Sequence, residues 1–404
     1  MPARSPLFFV NLSFEPGGEY SPHRVYVCML DRILLFPYSL SLRLRHFCYD
    51  HGFICKSRKA GVPTVCVGNI AVGGTGKTPH TEMILRTLLD SGSWADRNIA
   101  VLSRGYKRHS KGFQQVTTDG SARFFGDEPM QMKKNFPAVT VAVDKDRLEG
   151  CAFLSDPESL KTSRKGRRCQ NKEMPAAELI VLDDAFQYRA LDATVKIVLS
   201  PYNRPLTKDS LMPLGRLRDL PSRINAADIV IITKSPKYLE NADKEAAVKE
   251  LGFRDYRARI CEAYNRKGKR INVFFTEIDY QTPKEVYESG NPRYIYSKNL
   301  ILFSGIADDT PLRMYLSDNY KIVRSLSFSD HHSFTRADIR GIEAAVREYP
   351  TAALATTEKD AQRLLDCPYV SDRLKERMFY VPIRASFSNE REEEVFRSVL
   401  LSSI

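Results

Sequence analysis

The chain has 404 residues, of which 43% are hydrophobic, so it can bury a sizeable core and is long enough for two domains. Its 61 Lys and Arg residues outnumber the 49 Asp and Glu residues, and the resulting net charge of +12 favours an anionic partner. The eight cysteines form no zinc-spaced cluster and no aromatic and basic nucleic-acid module is visible, so we expect no zinc site, no nucleic-acid partner and a reduced cytosolic compartment.

We expect residues 1–24 to be an N-terminal extension that is disordered. They do not predict a secretory signal, since they lack its basic start, apolar run and small-residue cleavage site. Residues 25–50 are rich in aliphatic and aromatic side chains, but charges interrupt them. The longest uncharged run, Ile33 to Leu42, has ten residues, whereas a membrane-spanning helix needs about 20. The segment therefore predicts either a helix that lies on a membrane surface or a helix packed on the core.

Residues 62–79 predict a phosphate-binding loop, because a buried strand leads into Val-Gly-Gly-Thr-Gly-Lys-Thr-Pro and a helix follows. Lys77 would reach the β- and γ-phosphates of a nucleotide, and Thr78 would hold Mg²⁺. Ala71 departs from the general pattern, which has glycine at its position. The nucleotide-binding residues are predicted to be Gly73, Gly74, Thr75, Gly76, Lys77 and Thr78.

Strands and helices alternate after this loop, which is typical of a parallel sheet. Residues 99–102 predict a short strand, and Arg104 follows at its carboxyl end, where open α/β sheets bind their ligands. A helix is expected to begin at residues 126–129, a strand to cover 138–143, and another helix to open within 144–149.

Residues 161–175 carry repeated charges together with Gly166 and Pro175, which resist burial, and they predict a solvated surface insertion. The next strand, over residues 179–182, ends in paired carboxylates, which is the arrangement of a Walker B strand. Asp183 or Asp184 would bind Mg²⁺ directly or through water, and the sequence does not choose between them.

The strand within residues 227–236 ends in Thr-Lys-Ser-Pro, where Pro236 replaces the aspartate that reads guanine, so ATP is favoured over GTP. The expected fold is α/β, with a mainly parallel sheet of the P-loop NTPase type flanked by helices. We expect the P-loop domain at residues 51–236, an interlobe region at 237–297 and a second, smaller α/β lobe at 298–404.

Six motifs occur in a fixed order along the chain: 68–79, Ser103-Arg-Gly-Tyr106, Gly126-Asp-Glu-Pro129, Asp183-Asp-Ala-Phe-Gln187, Phe328-Ser-Asp-His-His332 and Thr356-Thr-Glu-Lys-Asp360. On these motifs the chain resembles the tetraacyldisaccharide 4′-kinase family from about residue 25 to residue 385, and the alanine in the loop is itself a feature of that family. The resemblance implies ATP and Mg²⁺ as cofactors. It also implies transfer of the γ-phosphate to the 4′-hydroxyl of a tetraacyldisaccharide 1-phosphate, a lipid A precursor.

The resemblance further implies a peripheral protein on the cytoplasmic face of the bacterial inner membrane, with the 25–50 helix as its anchor. Asp127 corresponds to the proposed general base of the family, and His331 to the imidazole that pairs with it. Asp330 is expected to orient the substrate or the groups around it. Because 204 positions separate Asp127 from His331, closure of the second lobe onto the first would assemble the pair.

Three further positions carry open alternatives. Glu128 is either an acid linked to the metal or a helix N-terminal charge. Arg104 and Arg147 are either cations for phosphate groups or surface ion-pair partners. Residues 357–360 match the late motif of the family, but no chemical role follows from them.

Three other functions compete with this interpretation. A P-loop metallochaperone or adaptor NTPase would need a guanine-reading aspartate or a Cys/His cluster, and neither is apparent. A nonenzymatic nucleotide-binding module at the membrane would bind ATP without transfer. A soluble small-molecule kinase would not need residues 25–49.

Overall fold

The computed structural model describes residues 29–52, 56–289 and 291–404. The expected extension at residues 1–24 lies outside the described residues, as do residues 25–28. The helices are α1 (Met29–His51), α2 (Lys77–Leu89), α3 (Ala122–Phe125), α4 (Asp127–Asn135), α5 (Arg147–Ser155), α6 (Pro157–Thr162), α7 (Asn241–Glu250), α8 (Thr310–Ser317), α9 (Arg336–Glu348), α10 (Glu358–Leu365), α11 (Asp372–Lys375) and α12 (Glu390–Ser403).

The strands form two sheets. The larger contains β1 (Thr64–Gly68), β2 (Ile99–Ser103), β3 (Gln114–Gln115), β4 (Thr140–Val143), β5 (Leu179–Asp183), β6 (Val195–Pro201), β7 (Ile229–Thr233), β8 (Arg254–Arg257), β9 (Glu262–Tyr264), β10 (Arg270–Tyr280) and β16 (Ile383–Phe387). The smaller contains β11 (Lys284–Glu285), β12 (Asn299–Ser304), β13 (Lys321–Ser327), β14 (Ala353–Thr357) and β15 (Met378–Val381).

The centre of the large sheet is parallel and fully buried. Its order is β4-β2-β5-β1-β6-β7-β10, and every neighbouring pair in this series is parallel. Val67 of β1 lies opposite Asp183 of β5, and Leu102 of β2 lies opposite Leu182 on the other side of β5. The loops that follow β1, β2 and β5 therefore meet at one edge of the sheet, where this class of fold binds its ligands.

The lobe boundaries differ from the expected ones. Residues 237–297 are not a separate interlobe region, because β10 pairs with β7 and, through its second half, with β16. Helix α12 also returns to the first lobe, where Phe396 packs edge-on against Phe274 with ring centroids 5.2 Å apart. Strand β10 pairs with both β7 and β16. The chain therefore crosses to the second lobe after β10 and returns to the first lobe at β16.

Helix α1 packs on the first lobe through one face and exposes another. Leu42 is buried in the core, and His46 Nε2 lies 2.5 Å from the carboxylate of Asp219. The described part of the chain contains no helix that is both long and apolar enough to span a membrane. The solvent-facing side of the helix carries a stripe of large apolar side chains at helical spacing: Phe36, Leu40, Leu44 and Phe47.

Candidate active site

The phosphate-binding loop has the backbone that its glycines predict. The φ angles of Gly73, Gly74 and Gly76 are +80°, +32° and +82°, a region that side-chain-bearing residues rarely adopt. Thr75 is buried, and its hydroxyl accepts a hydrogen bond of 2.6 Å from the Asn69 amide. Helix α2 begins at Lys77, directly after Gly76, so its N-terminus faces the space that the loop encloses.

Two lysines lie beside this loop. The Lys77 ammonium is 3.9 Å from the carboxylate of Asp184, and Thr78 follows it in the first turn of α2, half-buried. Lys234, at the end of β7, places its ammonium 3.7 Å from the position that a Cβ on Gly74 would occupy. In the sequence, the turn that contains Lys234 was noted only for its likeness to a guanine-reading turn. The position of Lys234 as a second cation beside the phosphate-binding loop was therefore missed.

The paired carboxylates at the end of β5 have different surroundings. Asp183 is buried and accepts hydrogen bonds from the Thr81 hydroxyl at 3.2 Å and the Ser103 hydroxyl at 3.0 Å. Burial and the negative charges of Glu128 and Asp184 raise the pKa of Asp183 to about 6. A bound cation would relieve this concentration of negative charge.

These residues fit a magnesium ion that is shared with a nucleotide. Among the described residues, no group of three or more His, Cys, Asp or Glu side chains is arranged to hold a metal by itself. Mg²⁺ usually takes one or two carboxylates and completes its shell with phosphate oxygens and water. The Asp184 carboxylate also contacts Arg218 at 3.2 Å, a cation that sequence reasoning missed.

The structure brings Asp127 and His331 together. His331 Nδ1 lies 3.1 Å from Asp127 Oδ2, and the Tyr106 ring stands edge-on to the imidazole with centroids 4.9 Å apart. Gly105 and Gly126 allow the loop after β2 to pack closely on the start of α4, since a Cβ on Gly105 would lie 2.9 Å from the backbone oxygen of Phe125. The two lobes therefore meet at the start of α4.

Helix α10 of the second lobe adds two cations to this pair. Arg363 donates from two of its nitrogens to Asp127 Oδ2, and Lys359 lies 3.0 Å from His331 Nε2 and 3.2 Å from Glu128 Oε1. Burial alone would raise the pKa of Asp127. The hydrogen bond from His331 and the charges of Lys359 and Arg363 nevertheless hold that pKa well below its usual range.

Arg363 was missed in the sequence, although a signal for it exists. Lys359 and Arg363 are four positions apart in a helix, so they share one face, and the late motif singled out only the first of them. Asp330 lies at the rim of the same group, with its carboxylate 3.9 Å from His331 Nε2 and 4.0 Å from the Lys359 ammonium.

The two candidate phosphate cations occupy different environments. Arg147 is 2% exposed and donates to the backbone carbonyls of Asp144 and Asp183, the latter at 3.3 Å, so it is not a surface ion-pair residue. Arg104 is exposed at the end of β2. A phosphate contact by either residue stays a prediction.

A buried pair of carboxylates links the lobes behind the site. Gln131 Nε2 lies 3.1 Å from a carboxylate oxygen of Glu82 and of Glu358, and Asn135 Nδ2 lies 3.0 Å from an oxygen of each. Arg86 pairs with Glu82 at 2.8 Å. Burial and the neighbouring charge of Glu82 raise the pKa of Glu358 to about 7.

Replacing Glu358 by Gln is expected to remove a pH dependence of stability. The carboxyl ionises near pH 4.5 in the unfolded chain and at about 7 in the folded protein, so its contribution is complete below pH 4.5 and is lost as the pH rises through 7. The wild type should lose on the order of 3 kcal/mol between pH 4.5 and 8 from this group. Urea unfolding at pH 5 and pH 8 measures the difference between the two proteins. The exposed Glu393→Gln variant should keep the wild-type dependence, and an unchanged dependence in Glu358→Gln would contradict the assignment.

Comparison with known proteins shows the family of this chain. The profile of the tetraacyldisaccharide-1-P 4′-kinase family matches residues 29–403. A tetraacyldisaccharide 4′-kinase of Phocaeicola vulgatus is 36% identical over 362 residues, which cover 88% of this chain and 90% of the relative. A protein of the same name from Bacteroides thetaiotaomicron is 36% identical over 368 residues, 90% of each chain.

A solved structure has the same fold. The crystal structure of LpxK from Aquifex aeolicus in complex with ATP matches with a TM-score of 0.63 and 26% sequence identity, and the match covers 92% of this chain and 99% of that one. The profile and the relatives extend over nearly the whole described chain, including both lobes. The chain therefore belongs to the tetraacyldisaccharide-1-P 4′-kinase family.

Proposed function

We propose that this protein transfers the γ-phosphate of ATP to the 4′-hydroxyl of a tetraacyldisaccharide 1-phosphate, with Asp127 as the acceptor of the hydroxyl proton. The observation that carries the proposal is the contact of Asp127 with His331 across the lobes. Tyr106, in the loop after β2, packs on His331, and that loop lies at the same edge of the sheet as the nucleotide loop.

Each residue has a separate task in this reaction. The loop amides and Lys77 hold the β- and γ-phosphates, which positions the phosphorus and neutralises charge as the transfer proceeds. Thr78 and the carboxylates of Asp183 and Asp184 would hold Mg²⁺, which would supply positive charge to offset that of the phosphates. The bond from the 4′-oxygen to phosphorus forms, the bond to the ADP oxygen breaks, and the proton of the hydroxyl passes to Asp127.

The assay that tests the proposal follows labelled γ-phosphate from ATP to a tetraacyldisaccharide 1-phosphate in mixed micelles. The expected product is a 4′-phosphorylated lipid that appears together with ADP. Folded, ATP-binding protein that makes no lipid product would remove this substrate and would favour a soluble small-molecule kinase or a binding module.

We further propose that α1 holds the protein on the cytoplasmic face of the inner membrane. The exposed apolar stripe supports this placement, because each buried leucine contributes about 2 kcal/mol to insertion in an interface. Replacing Leu40 and Leu44 by Ser is expected to lower binding to anionic phospholipid vesicles at least tenfold in sedimentation. The exposed Met314→Ser variant of the second lobe is the control, and equal binding by all three proteins would contradict the placement.

A further inference from the structure

Helix α10 has no chemical role in the function proposed above, although it faces the acceptor site directly. We propose that its two cations are positioning residues: Arg363 fixes the carboxylate of Asp127, and Lys359 fixes the imidazole of His331. The inference rests on the proposed function, since it assigns how the proton-accepting pair is aligned. It makes the second lobe responsible for that alignment.

Arg363 is held between carboxylates of the two lobes. Its Nε donates to Asp127 Oδ2 at 3.0 Å and one terminal nitrogen donates to the same oxygen, while the other terminal nitrogen donates to Asp360 at 2.7 Å. The side chains of Arg363 and Asp127 are 9% and 7% exposed. A guanidinium that is fixed at both edges has little rotational freedom, so it holds Oδ2 of Asp127 in one position.

Asp360 is in turn fixed by the start of α10. It is fully buried, and its Oδ2 accepts a hydrogen bond from the Gly305 backbone N–H at 2.8 Å and from the Thr357 hydroxyl at 2.7 Å. Thr357 also caps the helix by accepting from the Asp360 N–H at 3.1 Å. The late motif therefore has a physical function: it builds the support from which Arg363 reaches across the lobes.

This support determines which oxygen of Asp127 is open to substrate. Oδ2 accepts from Arg363 twice and from His331 once. Oδ1 accepts the backbone N–H of Glu128 at 3.1 Å, which engages one of its two lone pairs. The remaining lone pair of Oδ1 is the one that a substrate hydroxyl can use, so Arg363 selects the oxygen that receives the proton.

Lys359 determines the tautomer of His331. Its ammonium lies 3.0 Å from His331 Nε2 and has no lone pair, so Nε2 must accept and Nδ1 carries the ring hydrogen. That hydrogen points at Asp127 Oδ2, 3.1 Å away. The close approach of Arg363 to Nδ1, 3.2 Å, follows because both groups donate to the same oxygen.

A double-mutant cycle tests whether Arg363 acts on catalysis through Asp127. Arg363→Met is expected to lower kcat about 100-fold in the wild-type background, the size of effect that a misplacement of about 1 Å produces. In the Asp127→Asn background the same change should lower kcat by less than about threefold, because no proton-accepting carboxylate is left to align. A role of Arg363 that does not act through Asp127 would cost the same factor in both backgrounds.

Controls accompany the cycle. Arg340→Met, on the exposed face of α9, should leave kcat unchanged. Arg363→Lys keeps the positive charge but loses the several donors of the guanidinium, and its kcat is expected to be about tenfold higher than that of Arg363→Met. The KM for ATP should stay within about twofold in every variant, since Arg363 donates to Asp127, Gly305 and Asp360, which lie outside the nucleotide loop.

Each outcome is decisive. Equal factors in the two backgrounds, or full activity of Arg363→Met, would overturn the inference. If Arg363→Met does not fold, the cycle is run with Arg363→Lys, and the same comparison of backgrounds applies. Absence of transfer by the wild type would instead refute the proposed function, and this is measured before any variant.

Discussion

The Asp127→Asn variant is expected to lose about a thousandfold in kcat while its dissociation constant for ATP stays within about twofold of the wild-type value. The amide keeps the size of the carboxylate and can still accept from Arg363, but it cannot take the proton of the 4′-hydroxyl. Asp127 is the first residue of α4 and is not part of the loop that holds the phosphates. The loss should therefore appear in the transfer step, measured by single-turnover formation of labelled lipid.

The matched control for this variant is Asp318→Asn, an exposed aspartate at the end of α8 in the second lobe. It should retain wild-type turnover. Thermal unfolding and ATP binding of all three proteins establish that the Asp127 variant is folded. Turnover within about threefold of wild type would exclude Asp127 as the proton acceptor and leave positioning by the nucleotide loop as the main source of catalysis.

Local sequence patterns predicted the first lobe well, because its determinants are short. The strand-loop-helix from Thr64 to Leu89 and the strand that ends at Asp183 are each recognisable within about 20 residues, and both have the expected form. The α/β fold class, the family and the kinase activity are confirmed by the comparisons. A run of buried residues ended by glycines or carboxylates is sufficient to predict such elements.

Long-range pairing was not predictable in the same way. Strand β16 and helix α12 return to the first lobe, where Phe396 and Ala385 are buried in its core. Their local sequence pattern would fit the core of the second lobe equally well. The expected boundary at residue 298 was therefore wrong for the last 22 residues, 383–404. Sheet order depends on which apolar faces meet, which is a property of the whole chain.

The candidate site shows the same limit. Asp127 and His331 were named through a family resemblance, and their 3.1 Å contact was expected only as a result of lobe closure. Arg363, Arg218 and Lys234 were not named, since an isolated cation in a helix or loop is most often a solvated surface charge. Only the fold shows that these three cations converge on carboxylates and on the nucleotide loop.

Lys77→Met is expected to lower kcat about a thousandfold, with a smaller rise in the KM for ATP, because the ammonium stabilises phosphate charge most strongly during transfer. The structure adds a second consequence. Lys77 lies 3.9 Å from Asp184, and its positive charge lowers the pKa of Asp183. Its removal therefore leaves a more negative net charge around the two carboxylates. The variant should therefore bind Mg²⁺ in the absence of nucleotide at least as tightly as wild type, although it turns over far more slowly.

Calorimetric titration with MgCl₂, together with steady-state transfer assays, separates the two effects. The exposed Lys111→Met variant is the control for loss of one positive charge, and it should match wild type in both measurements. Weaker Mg²⁺ binding in Lys77→Met would show that the lysine organises the metal site itself. Near-normal turnover would remove Lys77 from the mechanism, because stabilisation of the phosphate charge during transfer is the role assigned to its side chain.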